Sequence, residues 1–389
     1  MIKITLFSQI INKLDKNIFR LLVKERQTDK HNKGINSWTH LVSMLFCHFS
    51  LSNSLRDISN GLRSATGNLN HLGIKKSPCK STLSYINERR NWELFQDYYY
   101  KLLKYFSSLA GFKQRKFRIK SKIYLLDSTL ISLCLSIYDW AKYRQAKGAI
   151  KLHTILDYDS CLPVYVYMTD GKRHDVEIAK QLQFPGGSVV VMDRAYIDFS
   201  MLYKWNEDGV CFVTMLKSSI KFKRLNEREL PENRHQHILV DEYIELSEEK
   251  SSEKYPQKLR RVVVYSEEKN EVIELLTNNL TWTANTISEL YKSRWQIEIF
   301  FKDIKQLLKI KSFVGTSPNA VLIQIWTAMI TILILKYLKH IAKYGWCLSN
   351  LVAFLRLNIF VKIDLMLWLD KPFEVEDSAP ELYYQTVLF

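Results

Sequence analysis

The sequence predicts a mixed α/β fold in which a strand-rich core follows an all-α, strongly basic leader. Three observations carry that expectation. The charge is lopsided: residues 1–120 hold 22 Lys+Arg against 7 Asp+Glu, whereas residues 121–389 hold 34 against 33, so nearly all of the net +16 sits in the first third. A basic module ahead of a near-neutral body reads as a unit that grips a polyanion joined to a unit that does something else, although a generically basic protein would show the same balance. Runs of β-branched and apolar residues at 123–127, 149–158, 162–169 and 188–192 have Asp or Gly at or after their ends, the pattern of strands bounded by turns. Finally, 389 residues at 47% hydrophobic content suffice for two or three cored units, which excludes a disordered chain.

In the leader, Ser54-Leu-Arg-Asp-Ile-Ser-Asn-Gly-Leu reads as an amphipathic helix. Ser81-Thr-Leu-Ser-Tyr-Ile-Asn-Glu-Arg-Arg reads as a second one, with a capping serine at its start and Asn87, Arg89 and Arg90 exposed. Gly67, Gly73 and Pro78 lie between them. The pair is compatible with a helix-turn-helix with a long connection, and equally with a helical bundle that touches phosphates without reading bases.

The core begins with three strands, a helix at 175–182 and a fourth strand that runs into Asp193, which is the element order of a ribonuclease-H-like fold. In such a fold Asp127 and Asp193 stand at the ends of adjacent central strands and a third acid arrives from a helix. Crowded carboxylates of this kind call for a divalent cation as counter-charge. Between Asp193 and Glu298 lie 104 residues, too many for a simple connection. Segment 210–216 reads as the last core strand, and strand-like runs at 237–246, 259–266 and 271–277 predict a β-rich insertion over about 220–280. A long helix is expected over 319–345, then a tail over 346–389 that is helical at first and acidic later.

The apolar run Val321–Leu335 is only 15 residues long and contains Gln324 and two threonines. It falls short of the roughly 20 residues that cross a bilayer, so a buried core helix is expected. The N-terminus has no long apolar segment with a small-residue cleavage site, and no signal peptide is read there. The six cysteines, Cys47, Cys79, Cys134, Cys161, Cys211 and Cys347, form no Cys-x-x-Cys pair, which argues against a zinc finger or a disulfide scaffold.

The most informative stretch is Tyr291-Lys-Ser-Arg294-Trp-Gln-Ile-Glu298-Ile-Phe-Phe-Lys302-Asp-Ile-Lys305. Read as one helix, it puts Tyr291, Arg294, Glu298, Lys302 and Lys305 at offsets of three or four, on one face. Ile297, Phe300, Phe301, Ile304 and Leu308 take the other side. One carboxylate among three cations and a phenol suits a metal ion beside phosphate oxygens, as phosphoryl transfer on nucleic acid requires. The same pattern also describes a surface helix with ion pairs at 294–298 and 298–302, and the helix alone leaves both readings open.

The spacing Tyr, two residues, Arg, three residues, Glu, six residues, Lys resembles the signature of the insertion-sequence-four family of DDE transposases, matched by Tyr291, Arg294, Glu298 and Lys305. Ile123-Tyr-Leu-Leu-Asp127-Ser-Thr is similar to the family's first catalytic aspartate motif, and Val189-Val-Val-Met-Asp193-Arg-Ala-Tyr196-Ile-Asp198 to its second. The stretch from about Trp38 to Tyr105, with Asn70-His-Leu-Gly-Ile and Ser81-Thr-Leu-Ser, resembles the leader domain of one branch of these proteins.

The resemblance implies a ribonuclease-H-like catalytic domain over 119–345 with a β-rich insertion, an all-α DNA-binding domain over 1–118, and a C-terminal helical tail. It implies catalysis by Asp127, Asp193 and Glu298 holding two Mg²⁺ ions, with Mn²⁺ able to substitute, and DNA contacts by Tyr291, Arg294, Lys302, Lys305 and Arg194. The expected activity is cleavage at element ends followed by strand transfer. Its expected partners are double-stranded DNA, as terminal inverted repeats and target, and a second copy of the chain, in the bacterial cytoplasm and away from membranes. Two other classes remain open: a transposase-derived DNA-binding protein that no longer cuts, and a metal-dependent nuclease on the same fold. Asp157, Asp159, Asp170 and Asp175 read as turn formers, His153 and His174 as structural residues, and Trp282 as a core residue more readily than a base-stacking one.

Overall fold

Before the first strand come α1 (Leu6–Ile11), α2 (Lys16–Glu25), α3 (Ser37–Ser50), α4 (Leu55–Ser64), α5 (Lys80–Arg89) and α6 (Glu93–Ala110). The structure is a computed structural model that describes residues 4–30, 34–65, 67–110, 119–133, 142–144, 147–230, 237–268, 270–308, 310 and 312–373. Four of these helices start where a short polar side chain can take up an otherwise unpaired N–H: Thr5, Asp15, Asn36 and Ser54 each accept from the first turn. The helix expected to begin at a capping serine instead begins at Lys80, with Cys79 at the cap position and no side-chain cap bond.

Two of the three residues expected on its surface are buried. Asn87 Oδ1 meets His40 Nε2 at 2.6 Å, and the Arg90 guanidinium donates to the carbonyls of Ile35 (2.8 Å) and Asn36 (3.3 Å) beside Asp29. Partners 47 to 55 positions away in sequence thus offset the cost of desolvating these groups. Arg89 alone stays exposed, over the ring of Tyr85.

The strands are β1 (Ile123–Leu133), β2 (Lys142–Arg144), β3 (Lys147–Asp157), β4 (Leu162–Asp170), β5 (Val189–Met192), β6 (Cys211–Met215), β7 (Phe222–Glu227), β8 (Ile238–Leu246), β9 (Leu259–Ser266) and β10 (Glu271–Thr277). They form one sheet with the path β2-β3-β1-β5-β6-β10-β9-β8-β7, in which β4 also pairs with β3. Within it, β4, β3 and β1 run antiparallel, and β5 and β6 follow parallel to β1. This is the ribonuclease-H-like order. Two short helices, α7 (Asp175–Ala179) and α8 (Phe199–Glu207), lie before β5 and before β6. The β-rich insertion extends the core sheet through the antiparallel pairing of β10 with β6, and α9 (Glu249–Lys254) interrupts it.

A buried arginine fastens the insertion to the helical segment after it. The Asp241 carboxylate takes Arg260 Nε and Nη2, both at 2.7 Å, and Arg260 Nη1 donates to the carbonyl of Trp282 at 2.5 Å. That carbonyl precedes α10 (Ala284–Ser293) by two residues, so a buried arginine sets where the motif helices begin. Trp282 packs against the core, in agreement with the structural reading of its ring.

After α10 and α11 (Trp295–Leu307) come α12 (Pro318–Ile341), α13 (Leu348–Asn358) and α14 (Leu365–Asp370). Helix α12 is long and apolar enough to cross a membrane by length and composition, but 89% of its most apolar window is buried inside the protein. It packs against α3, α5, α6, α11 and α13, and α1 meets α14. The leader helices therefore share one apolar core with the strands and the C-terminal helices. The later, acidic part of the expected tail, 374–389, lies outside the described residues.

Candidate active site

Parallel pairing of β1 with β5 sets Leu126 opposite Met192, so the next residues, Asp127 and Asp193, leave two neighbouring strands side by side. The sequence pattern places Asp127 at the end of its strand. Instead β1 continues to Leu133, because β3 keeps pairing with it as far as Gly148, while β5 stops at Met192. Asp127 thus sits in mid-strand at the point where one neighbour departs, which opens space beside it. Asp193 caps the 3₁₀ turn Arg194–Tyr196, its Oδ1 accepting from the N–H of Ala195 at 2.9 Å.

The third acid comes from α11, which packs on β1. The single helix expected over 291–305 is two helices that meet at Arg294, which stays in the right-handed helical region (φ −53°, ψ −30°). Around this point the N–H of Arg294 bonds the carbonyl of Tyr291 (3.0 Å), and that of Ile297 the carbonyl of Arg294 (3.1 Å). These i→i−3 bonds tighten the turn. The motif face survives the break. Ile297, Phe300, Phe301 and Ile304 are buried, while Tyr291, Arg294, Glu298 and Lys305 are half-buried and Lys302 is exposed.

Arg294 joins two of the acids. Its Nη2 donates to Glu298 Oε1 at 2.6 Å, and its Nη1 reaches Asp127 Oδ2 at 3.4 Å. Only 13% of the arginine side chain is exposed, so this is not the solvated surface pair that the sequence also allowed. Its guanidinium stands 5.7 Å from the ring of Tyr291, whose phenol pKa is raised by burial, so the phenol stays a neutral donor. Lys305 Nζ donates to Thr129 Oγ1 at 2.5 Å. Asp127, Ser128, Thr129, Glu298, Phe301, Lys302, Lys305 and Gln306 line a cleft of about 370 Å³. Asp193 lies outside that lining, and Arg194 is exposed on the turn beyond it.

Burial pushes the Asp127 carboxyl up to about 6, with Asp193 and Glu298 adding repulsion, while the N–H of Ser128 and the charge of Arg294 pull it down. Among the described residues no three His, Cys, Asp or Glu side chains stand close enough to hold one ion between them. By chemistry the set nevertheless suits a hard divalent cation, being all carboxylate oxygen and mutually repelling; Arg294 neutralises part of that charge in the metal-free site.

An acid whose pKa is raised by folding contributes stability below its unfolded pKa, and that contribution is lost as pH rises through the folded value. Asp127→Asn is therefore expected to raise the melting temperature of the metal-free protein at pH 8 and to leave it unchanged near pH 3.5. The gain should develop up to about pH 6. Thermal unfolding of both proteins across pH checks this, and a difference independent of pH would contradict it.

Of the acids read as turn formers, Asp157 accepts from Ser160 and Asp170 from the N–H groups of Lys172 and Arg173. Asp175 differs: it accepts from Ser128 Oγ at 2.6 Å, next to Asp127. His153 is buried and bonded to Thr169 Oγ1 at 2.9 Å, and His174 is exposed with no capping bond. The sequence singled out Asp175 only as a turn former and gave no sign that Ser128 would bond it or Thr129 would bond Lys305, since those partners lie on other elements.

The family described as "Transposase DDE domain" matches residues 118–334, which includes all three acids, and a "Domain of unknown function (DUF4372)" matches residues 3–75. A protein of Sinorhizobium fredii (strain NBRC 101917 / NGR234) named as transposase y4zB is 33% identical over 67% of this chain and 71% of its own length. One of Geobacillus stearothermophilus named as the transposase for insertion sequence element IS5377 is 28% identical over 62% of this chain and 64% of its own. One of Synechocystis sp. (strain ATCC 27184 / PCC 6803 / Kazusa) named for insertion sequence element IS4SA is 25% identical over 74% and 80%. With its DDE domain spanning more than half of its length and its core strands in the ribonuclease-H-like order, the chain belongs to the DDE transposase family.

Proposed function

We propose that the chain cuts a mobile DNA element at its ends and joins the freed ends to target DNA, with Asp127, Asp193 and Glu298 as the carboxylates that hold Mg²⁺, for which Mn²⁺ can substitute. DDE transposases work with divalent metals. The observation that supports the residue assignment is Arg294 held between Asp127 on β1 and Glu298 on α11, with Asp193 leaving the strand beside Asp127. Bound there, a divalent cation polarises a phosphate oxygen and lowers the pKa of an attacking water.

The chain's own residues supply the rest. Lys302 and Lys305 give the cleft a positive wall suited to a phosphate backbone, and Arg194 extends that character past Asp193. The neutral Tyr291 phenol suits a phosphate contact and not a nucleophile. Arg294 orients Glu298 and Asp127 and offers further donors to a bound phosphate.

Residues 1–118 are proposed as the DNA grip, 119–345 as the catalytic unit and 346–389 as a helical tail. The first unit shares its core with α12, so its DNA binding is best measured in the whole chain, where each phosphate contact steepens the log–log salt slope by about 0.9. Two copies are proposed to hold two element ends together, in the bacterial cytoplasm. Labelled element ends with a target plasmid and Mg²⁺ test the reading. Cleavage followed by insertion is expected. Cleavage without insertion indicates a nuclease, and binding without cleavage indicates a derivative that only binds DNA.

A further inference from the structure

We propose that Asp175 is a positioning residue for this reaction, holding Ser128 and through it the orientation of Asp127. The proposal rests on the role given to Asp127 above. Ser128 faces both ways: its Oγ donates to Asp175 Oδ1 at 2.6 Å, and its N–H donates to Asp127 Oδ1 at 2.8 Å. A hydroxyl-to-carboxylate bond this short is charge-assisted and fixes direction as well as distance.

Asp175 is itself held in place from β3. Lys151 Nζ lies 3.4 Å from its Oδ1, while the buried His153 ring packs beside it with Nδ1 3.5 Å away and not hydrogen-bonded. Neither partner is free to wander, because Lys151 also donates to the carbonyl of Arg173 at 2.7 Å and His153 is bonded to Thr169. Ser128 and His153 are direct cross-strand partners in the β1–β3 register, so the contact is built into the sheet. Helix α7, which begins with Asp175, packs on the turn 194–196 just after Asp193. One carboxylate thus ties the strand of the first catalytic acid to the turn of the second.

A plain structural role, that of an acid in the first turn of a short helix, needs none of these contacts. It predicts a change in stability only. A carboxylate that orients a metal-holding side chain affects metal affinity, on the order of tenfold to a hundredfold when removed.

The test is Mn²⁺ binding to the full-length protein, followed by the electron paramagnetic resonance signal of free Mn²⁺, with melting temperature measured in parallel. Asp175→Ala is expected to weaken Mn²⁺ binding by about tenfold or more with little change in melting temperature, and Ser128→Ala to do likewise. The double variant should be no weaker than the weaker single one, since both act through one path. Asp175→Asn, which keeps an oxygen for Ser128, should stay within about threefold of wild type. Wild-type affinity in Asp175→Ala, or losses that multiply in the double variant, would overturn the proposal. Should Asp175→Ala not fold, wild-type affinity in Ser128→Ala overturns it equally. A wild type that takes up no Mn²⁺ would instead sink the metal role of Asp127 itself.

Discussion

Asp127→Ala and Glu298→Gln are each expected to lower strand cleavage on the order of a thousandfold or more, while binding to element ends stays near wild type. The size reflects what is lost. A metal-polarised phosphate is worth several kcal/mol in the transition state, and each 1.4 kcal/mol or so is a factor of ten in rate. Binding should survive because it comes mainly from cations that these changes leave in place. Glu298→Gln keeps the shape of the side chain and an oxygen for Arg294, so it isolates the charge from the packing. Single-turnover cleavage of labelled ends, with binding measured by gel shift at fixed salt, checks both. Cleavage at near the wild-type rate in either variant removes that residue from the catalytic set.

The second large effect concerns Arg294 and Lys305. Either residue changed to Ala should weaken the complex with the element end and slow second-strand cleavage more than the first nick, by on the order of a hundredfold. The reason is geometric. Arg294 bonds Glu298 and reaches Asp127, and Lys305 bonds Thr129 two residues beyond Asp127, so both hold α11 in register with β1. A phosphate gripped by these cations is thereby placed relative to the acids, and a displacement of about 1 Å is costly. Arg294→Lys should rescue little, since an ammonium lacks the planar fork that spans two carboxylates. A surface ion pair would instead lose a few tenths of a kcal/mol of stability and no activity. Normal rates at both steps in the two alanine variants would contradict the clamp.

Where the sequence was readable, it was readable through local composition. Glu271–Thr277, rich in apolar and β-branched residues, is β10 without adjustment, and Val321–Leu335 reads as a core helix and is one. Strand β7 went unseen because Phe222–Glu227 carries Lys223, Arg224 and Glu227, the charged composition that shields an edge strand from further pairing. The break at Arg294 left no trace, since apolar and polar positions keep helical spacing through it. Asn87 and Arg90 were misjudged, and the reach of Asp175 to Ser128 was missed, for one shared reason. Each is a polar residue that local rules send to the surface, and each is held by a partner that only the fold brings near: His40, the 35–36 carbonyls, and Ser128. The proposal of Asp127, Asp193 and Glu298 as the metal-holding acids came from resemblance, whereas Arg294's place between two of them required the packing of α11 on β1.

The most direct test of the central claim is Asp193→Asn. Of the three acids, Asp193 lies outside the cleft lining and already has a structural task as the cap of the turn 194–196. Asparagine caps as well as aspartate does, so the substitution keeps the turn and removes only the charge. If Asp193, Asp127 and Glu298 together hold the metal, cleavage of labelled ends in Mg²⁺ should fall on the order of a thousandfold with an unchanged melting temperature. Cleavage at the wild-type rate in Asp193→Asn would reduce the residue to a turn cap and contradict the three-carboxylate site.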